Sequence, residues 1–157
     1  MTFTRWTRPL GHRGFSVSEL LVVVSVIGIL TAASVPTFVS HYQHARLRAA
    51  AETIAAFLNQ GRQIGIKENV GVCVHITSTA MHYHVGSCVG PVWIGPGSDA
   101  AGTVRAPQGI TLTTTADPVF NYLGAASPAA TYTVRNTQTN RTMTVTVATS
   151  GRVAIGP

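Results

Sequence analysis

An uncharged apolar stretch near the start of the chain constrains the fold more strongly than any other feature. Residues 20–35, LLVVVSVIGILTAASV, contain no charged side chain, and the stretch stays mainly apolar as far as Val39. A helix needs about 20 such residues to cross the hydrocarbon core of a bilayer. The sequence therefore predicts one membrane-spanning helix close to the N-terminus.

The residues before this stretch predict the direction in which it crosses the membrane. The first 14 residues, MTFTRWTRPLGHRG, contain Arg5, Arg8 and Arg13 and no acid, and they supply half of the formal net charge of +6. Positively charged flanks stay on the cytoplasmic side of a membrane, so we expect the rest of the chain to be exported. The remaining net charge of +3 is ordinary for an exported domain.

A single carboxylate, Glu19, distinguishes between several interpretations of the N-terminus. A secretory signal peptide cut near residues 31–33 and a plain membrane anchor both remain open, but neither explains an acid at helix depth. Such an acid costs about 2.5–3.5 kcal/mol unless it is compensated. Cleavage between Gly14 and Phe15 would place a new α-amine about one helical turn before Glu19. Both the amine and the helix N-terminus would then favour the carboxylate.

The N-terminal motif resembles the class III signal of type IV pilins and pseudopilins. It consists of Arg13-Gly14-Phe15 followed by Glu19 and the apolar run. The resemblance implies that residues 1–14 form a leader peptide, and that a prepilin peptidase cuts after Gly14 and methylates the amine of Phe15. It also implies that Glu19 supports the assembly of subunits. The motif is short but highly specific.

The same resemblance extends to two residues inside the helix and to the location of the protein. Gly28 and Pro36 match a glycine and a proline that loosen the helix in the family, and a proline removes one backbone hydrogen bond. The family implies a single-pass protein of the bacterial inner membrane with a periplasmic C-terminal domain, which later enters a pilus or pseudopilus. Its expected partners are the inner membrane, the prepilin peptidase and other pilin or pseudopilin subunits.

Residues 42–68 continue the helical pattern as an amphipathic segment. Their apolar residues recur at spacings of three and four, which describes one face of a helix. Asn69 and Gly71 provide a plausible stop. We expect a membrane-spanning and assembly half over residues 15–39 and an amphipathic half over residues 40–69. The predicted stripe consists of Leu47, Ala50, Ala51, Ile54, Phe57, Leu58, Gly61 and Ile64.

Residues 70–157 have the pattern of a β-rich globular domain. Short strands follow one another without an intervening helix, so we expect an α+β fold in which an antiparallel sheet or small sandwich packs on the helix. A loop rich in Gly, Pro and Ser spans residues 86–102 and carries Trp93, which is expected to be exposed. The predicted strands are residues 70–76, 81–85, 110–115, 118–123, 131–136, 143–149 and 152–155.

The C-terminal domain resembles the GspH/FimT group of minor pilins and pseudopilins, although more loosely than the N-terminus resembles the wider family. The similar features are LNQGRQIGIKENVGVCV at residues 58–74, a loop with a tryptophan, and the terminal SGRV. Members of the group belong to type II secretion pseudopili or type IV pili, some of them in DNA uptake. An acidic residue expected around residues 63–65 is absent, and a major pilin remains the main alternative.

Alternation along the first predicted hairpin places four residues of metal-binding types on one face: Cys73, His75, His82 and His84. Three imidazoles and a thiol are a conceivable zinc set. An exported domain with two cysteines favours a disulfide between Cys73 and Cys88 instead. That bond would stabilise the fold by about 3 kcal/mol in the chain-entropy model. We therefore expect neither a metal site nor a cofactor.

The remaining titratable residues argue against an enzyme. The four acids beyond the apolar helix, Glu52, Glu68, Asp99 and Asp117, are spread widely along the sequence, and no nucleophile is paired with a base. The sequence therefore predicts a structural and interaction protein.

Three arginines near the C-terminus, Arg135, Arg141 and Arg152, are candidates for nucleic-acid contact. In DNA-uptake members of the FimT group the terminal strand resembles GRxR, but here Ala154 replaces the second arginine. We expect these arginines to be solvated, with weak or no DNA binding at physiological salt. A DNA-binding minor pilin remains the alternative function.

Overall fold

The computed structural model describes residues 14–157, in which one long helix is followed by nine strands. The helix α1 spans Val17–Glu68. The chain divides into two units, one ending at Ser40 and one spanning His41–Pro157. The predicted α+β fold, a long N-terminal helix followed by an antiparallel β domain, is confirmed. The strands are β1 (Val72–Ile76), β2 (Ala80–Val85), β3 (Val104–Arg105), β4 (Ile110–Thr114), β5 (Val119–Phe120), β6 (Ala126–Ser127), β7 (Ala130–Asn136), β8 (Thr142–Val147) and β9 (Val153–Gly156).

The end of α1 lies where the sequence predicts it. Asn69 adopts a left-handed backbone conformation, with φ of 54°. The N–H of Val70 donates a hydrogen bond of 3.1 Å to the carbonyl of Gly65. This pairing is the Schellman motif, which satisfies carbonyls that have no partner inside a helix. The predicted stop at Asn69 is therefore confirmed.

The strands form two antiparallel sheets. The first sheet has the order β3-β2-β1-β5-β6 and the second has the order β4-β7-β8-β9. Within the first sheet, β1 and β2 form the predicted hairpin, in which Cys73 lies opposite His84 and His75 lies opposite His82. The hairpin directs its apolar side chains to the core, because successive side chains of a strand point to opposite faces.

The amphipathic part of α1 and both sheets share one hydrophobic core. All eight residues of the predicted helix stripe are buried. Tyr132 of β7 is fully buried, and its hydroxyl donates a hydrogen bond of 3.5 Å to the carbonyl of Val74 in the other sheet. The helix approaches the first sheet closely at Gly61, where an added Cβ would lie 2.6 Å from Cγ2 of Val74. A glycine is needed there because any side chain would displace the sheet.

Two sequence-based expectations about the loops are wrong. Trp93 is partly buried, because its backbone N–H donates a 2.8 Å hydrogen bond to the carbonyl of Tyr83, and the indole packs edge-on against the Tyr83 ring at 5.8 Å. The strand predicted at residues 118–123 ends at Phe120. The side chain of Asn121 then accepts hydrogen bonds from two backbone N–H groups, at Leu123 and Ala125, and closes a turn.

Candidate functional site

The predicted cleavage site lies in a short exposed segment before α1. Gly14, Phe15 and Ser16 are not helical, and 77% of the Phe15 surface is exposed. A Cβ added at Gly14 would meet no atom within 4 Å. The segment therefore presents an open backbone on both sides of the Gly14–Phe15 bond. Arg13 and the rest of the predicted leader lie outside the described residues.

Glu19 lies in the first turn of α1 and is exposed. The N–H of Leu20 donates to the carbonyl of Ser16 at 3.1 Å, which makes Ser16 the first hydrogen-bond acceptor of the helix. Ser16 and Glu19 thus have the S-x-x-E spacing of a capping box. Sequence reasoning missed this spacing, although it is visible in the sequence. A carboxylate in the first turn is also favoured by the helix dipole.

The first part of α1 exposes apolar side chains around its whole circumference. Between Leu20 and Val39 the large apolar residues are 45–73% exposed. By length and composition this part of the helix can cross a membrane. A helix that is apolar on all sides requires lipid or other helices around it.

Three hydroxyl groups in this part of α1 are hydrogen-bonded within the helix itself. Ser25, Thr31 and Ser34 each donate to the carbonyl four residues earlier, at 2.7–2.8 Å. In hydrocarbon an unpaired polar group would be costly, and these bonds remove that cost. These three hydroxyl side chains are therefore compatible with an apolar environment.

The two predicted helix-loosening residues lie inside a continuous helix. The helix α1 runs from Val17 to Glu68 without a break at Gly28 or at Pro36, although Pro36 has no N–H to donate to the helix. A Cβ added at Gly28 would meet no atom within 4 Å, so the backbone is open to a neighbouring helix there. Bending at Gly28 and Pro36 stays a prediction.

The predicted disulfide joins Cys73 and Cys88, whose Cα atoms are 5.1 Å apart. It links β1 to the loop after β2, and Cys73 is completely buried. Among the described residues no cysteine is free. The thiols are therefore not available as ligands.

The three hairpin histidines lie together on the side of β1 and β2 opposite to the core, which we call the histidine face. They are partly buried, whereas the sequence predicted solvated side chains. Nδ1 of His75 lies 2.7 Å from Oδ2 of Asp117, and Nδ1 of His84 lies 2.9 Å from the carbonyl oxygen of Gly90. Nδ1 of His82 is buried and has no hydrogen-bond partner. Among residues 14–157 no group of three or more His, Cys, Asp or Glu side chains is arranged to hold a metal ion.

The contact between His75 and Asp117 is one that sequence reasoning missed. The two residues are 42 positions apart, and they meet because β5 pairs with β1, placing Val119 opposite Cys73. In the described part of the chain no hydroxyl or thiol nucleophile is hydrogen-bonded to His75. The pair therefore resembles the base and the orienting acid of a catalytic triad, but in this part of the chain it has no nucleophile that would attack a substrate.

The shifted pKa values of Asp99, Tyr83 and Tyr132 have structural explanations. A hydrogen bond from the N–H of Thr103 holds the pKa of the exposed Asp99 below its usual range. Burial raises the pKa of the Tyr83 hydroxyl, and burial also raises the pKa of Tyr132. Both phenols therefore remain protonated and serve as hydrogen-bond donors inside the core.

The structure separates the three candidate nucleic-acid residues into two places. Arg135 and Arg141 flank the β7–β8 turn, where the guanidinium of Arg135 donates to Asn140 at 2.9 Å. Arg152 follows β8 and precedes β9, so it lies at the opposite end of β8, about 20 Å away at the rise of a strand. The arginine that does lie close to Arg152 in the fold is Arg62 of α1. Its Nε would be 3.2 Å from a Cβ added at Gly151, the residue before Arg152. The three arginines do not form one patch.

The described elements define a pilin-like α+β fold. The crystal structure of the type IV minor pilin FimU of Pseudomonas aeruginosa (strain PAO1) matches 73% of this chain and 90% of its own length, with a TM-score of 0.55 and 16% identity. A second crystal form of FimU matches 70% of this chain and 92% of its own length, with a TM-score of 0.51 and 16% identity.

A second protein has the same fold. The minor pseudopilin EpsH from the type 2 secretion system of Vibrio cholerae matches 70% of this chain and 95% of its own length, with a TM-score of 0.54 and 10% identity. No protein-family model matches the chain, and no curated protein matches it in sequence. At these identities the similarity shows a shared fold.

Proposed function

We propose that this chain is a minor pilin or pseudopilin, a structural subunit that is assembled into a type IV pilus or a type II secretion pseudopilus. The observation that carries the proposal is an exposed helix segment, mainly apolar between Leu20 and Val39, followed by a domain with the fold of FimU and EpsH. A major pilin is the alternative within the same class. The chain acts by binding other subunits, and no catalytic role is proposed.

The apolar part of α1 supports a subunit that lies first in the membrane and later among the helices of a filament. Each of its large apolar side chains gains about 1.5–3 kcal/mol when it leaves water. Lipid supplies that environment while the subunit waits in the inner membrane, with its C-terminal domain in the periplasm. Neighbouring helices supply it after assembly. The open backbone at Gly28 allows a close helix–helix approach, as small residues do between membrane helices.

The exposed Gly14–Phe15 bond supports processing by a prepilin peptidase. In the processed chain, Phe15 would carry the new, methylated α-amine, and Glu19 would lie about one helical turn away on the first turn of α1. The ion pair could form within one subunit or between two neighbours. Such a pair would remove the cost of an uncompensated carboxylate in an apolar environment and would set the register between subunits.

Deletion of the gene, followed by complementation, tests the proposal. We expect loss of surface pili or loss of secreted proteins, and the affected process identifies the machine. The tagged subunit should be recovered with sheared or purified filaments at a level far below that of the major subunit. Normal piliation and normal secretion in the deletion strain, with no subunit in either type of filament, would refute the proposal.

A further inference from the structure

We propose that His75 and His84 chelate a divalent transition-metal ion on the histidine face. Three histidines of this domain share the face, and the ring centres of His75 and His84 are 6.3 Å apart. The ring centres of His82 and His84 are 6.2 Å apart. The histidine face belongs to the C-terminal unit, whereas the proposed assembly residue Glu19 belongs to the first unit.

The hydrogen bonds of the two imidazoles support this role. A carbonyl oxygen only accepts hydrogen bonds, so the bond to Gly90 places the proton of neutral His84 on Nδ1 and leaves a lone pair on Nε2. The carboxylate of Asp117 does the same for His75. Histidines that bind metals almost always donate their other N–H to a carboxylate or a backbone carbonyl, which orients the ring and raises its basicity. Both kinds of support are present here.

The distance between the two rings favours an ion that binds them on opposite sides of its coordination sphere. Nitrogen–metal bonds of about 2.0–2.1 Å place two ring centres about 5 Å apart in adjacent positions and about 6 Å apart in opposite positions. The 6.3 Å between the ring centres of His75 and His84 accommodates the second case when both Nε2 atoms face the same ion. Cu²⁺ and Ni²⁺ adopt tetragonal geometries with imidazole ligands, and Cu²⁺ binds such sites most tightly among the first-row divalent ions. These ions therefore suit the pair best.

The surroundings of the pair leave the coordination sphere open. Since no third His, Cys, Asp or Glu in the described part of the chain is arranged with them, water completes the sphere. The disulfide between Cys73 and Cys88 removes the two thiols that would favour softer ions. The nearby carboxylate of Asp117 adds negative charge that favours a cation. This is an open chelate and not a structural metal centre.

The test is a titration of the purified full-length protein in detergent micelles with Cu²⁺ and with Ni²⁺. We expect one site, with an electron paramagnetic resonance spectrum of bound Cu²⁺ that shows two nitrogen ligands. His75→Gln and His84→Gln should each lower the affinity at least tenfold. Asp117→Asn keeps both ligands and should lower the affinity about 10–100-fold through the lost orientation of His75.

A matched control uses the exposed histidines of α1. The double variant His41→Gln/His44→Gln should bind Cu²⁺ as the wild type does, because both residues lie outside the histidine face. Circular dichroism and an intact disulfide must show that every variant is folded, and His84→Gln tests the site by itself if His75→Gln unfolds. Equal affinity of the wild type and the folded His84→Gln variant would overturn the proposal. So would loss of binding only in the α1 control.

Discussion

The ring of Tyr83 in β2 stacks on the ring of Phe57 in α1, with ring centroids 4.1 Å apart and an angle of 12° between the planes. The hydroxyl of Tyr83 also donates a 2.9 Å hydrogen bond to the carbonyl of Phe57. One residue thus contributes apolar contact and a buried hydrogen bond to the same helix–sheet interface. Gly61 lies one turn further along α1 and allows this approach.

The first prediction concerns Gly61. In the variant Gly61→Ala, the new Cβ would lie 2.6 Å from Val74 and 3.0 Å from the ring of Tyr83, so the helix and the sheet must move apart. Overpacking of this kind costs about 1–3 kcal/mol. Chemical denaturation should show this decrease in the free energy of unfolding. Gly28→Ala is the control, because a Cβ there meets no atom within 4 Å, and the unfolding of the C-terminal domain should not change.

The second prediction concerns the disulfide. The double variant Cys73→Ser/Cys88→Ser should unfold with a free energy lower by about 3 kcal/mol, since the bond closes a loop of 15 residues. Thiol labelling of the exported protein without reductant should modify neither cysteine. A labelled cysteine in the folded, exported protein would contradict the pairing.

The third prediction concerns processing. Intact-mass measurement on protein from cells should find a chain that begins at Phe15 with one methyl group on its amine. Replacement of Gly14 by leucine should leave the uncut precursor in the membrane, because the exposed bond would no longer suit the peptidase. A mature chain that begins at Met1, or one that begins near residue 33, would be inconsistent with this site.

The fourth prediction separates two roles of Glu19. Glutamine at the third helical position keeps the sequence spacing of a capping box, but it has no charge to pair with an amine. If the charge matters, Glu19→Gln and Glu19→Ala should both be inserted and cut normally, and both should be depleted from sheared filaments. Wild-type incorporation of Glu19→Gln together with loss of Glu19→Ala would assign Glu19 to helix capping instead. Wild-type incorporation of both variants would refute the assembly role.

The fifth prediction concerns DNA. Since Arg152 lies at the opposite end of β8 from Arg135 and Arg141, few phosphate contacts can form at one place. We expect weak or no binding of duplex DNA by the purified protein at physiological salt, with a log affinity that changes by about 0.9 per contact for each log unit of salt. Any binding at low salt should fall in Arg152→Gln. Tight binding at physiological salt would make DNA uptake the leading function.

Much of the fold could be read from local patterns in the sequence. The helix stripe from Leu47 to Ile64, the stop at Asn69 and the alternation of the first hairpin all follow from contacts between residues a few positions apart. Local geometry decides such features, because the periods of helix and strand are properties of the backbone. The apolar run that makes the N-terminal helix a candidate membrane span is likewise a property of consecutive residues.

Only the tertiary structure decided which distant residues meet. The contact of His75 with Asp117 depends on the pairing of β1 with β5. The burial of Trp93 depends on the loop after β2, which turns back and runs beside Tyr83. The separation of Arg152 from Arg141 depends on the length and direction of β8. Alternation predicts which face of a strand a residue occupies but not which strand lies beside it. Strand order is set by the way the two sheets and α1 bury their apolar faces together, and that depends on the whole domain at once.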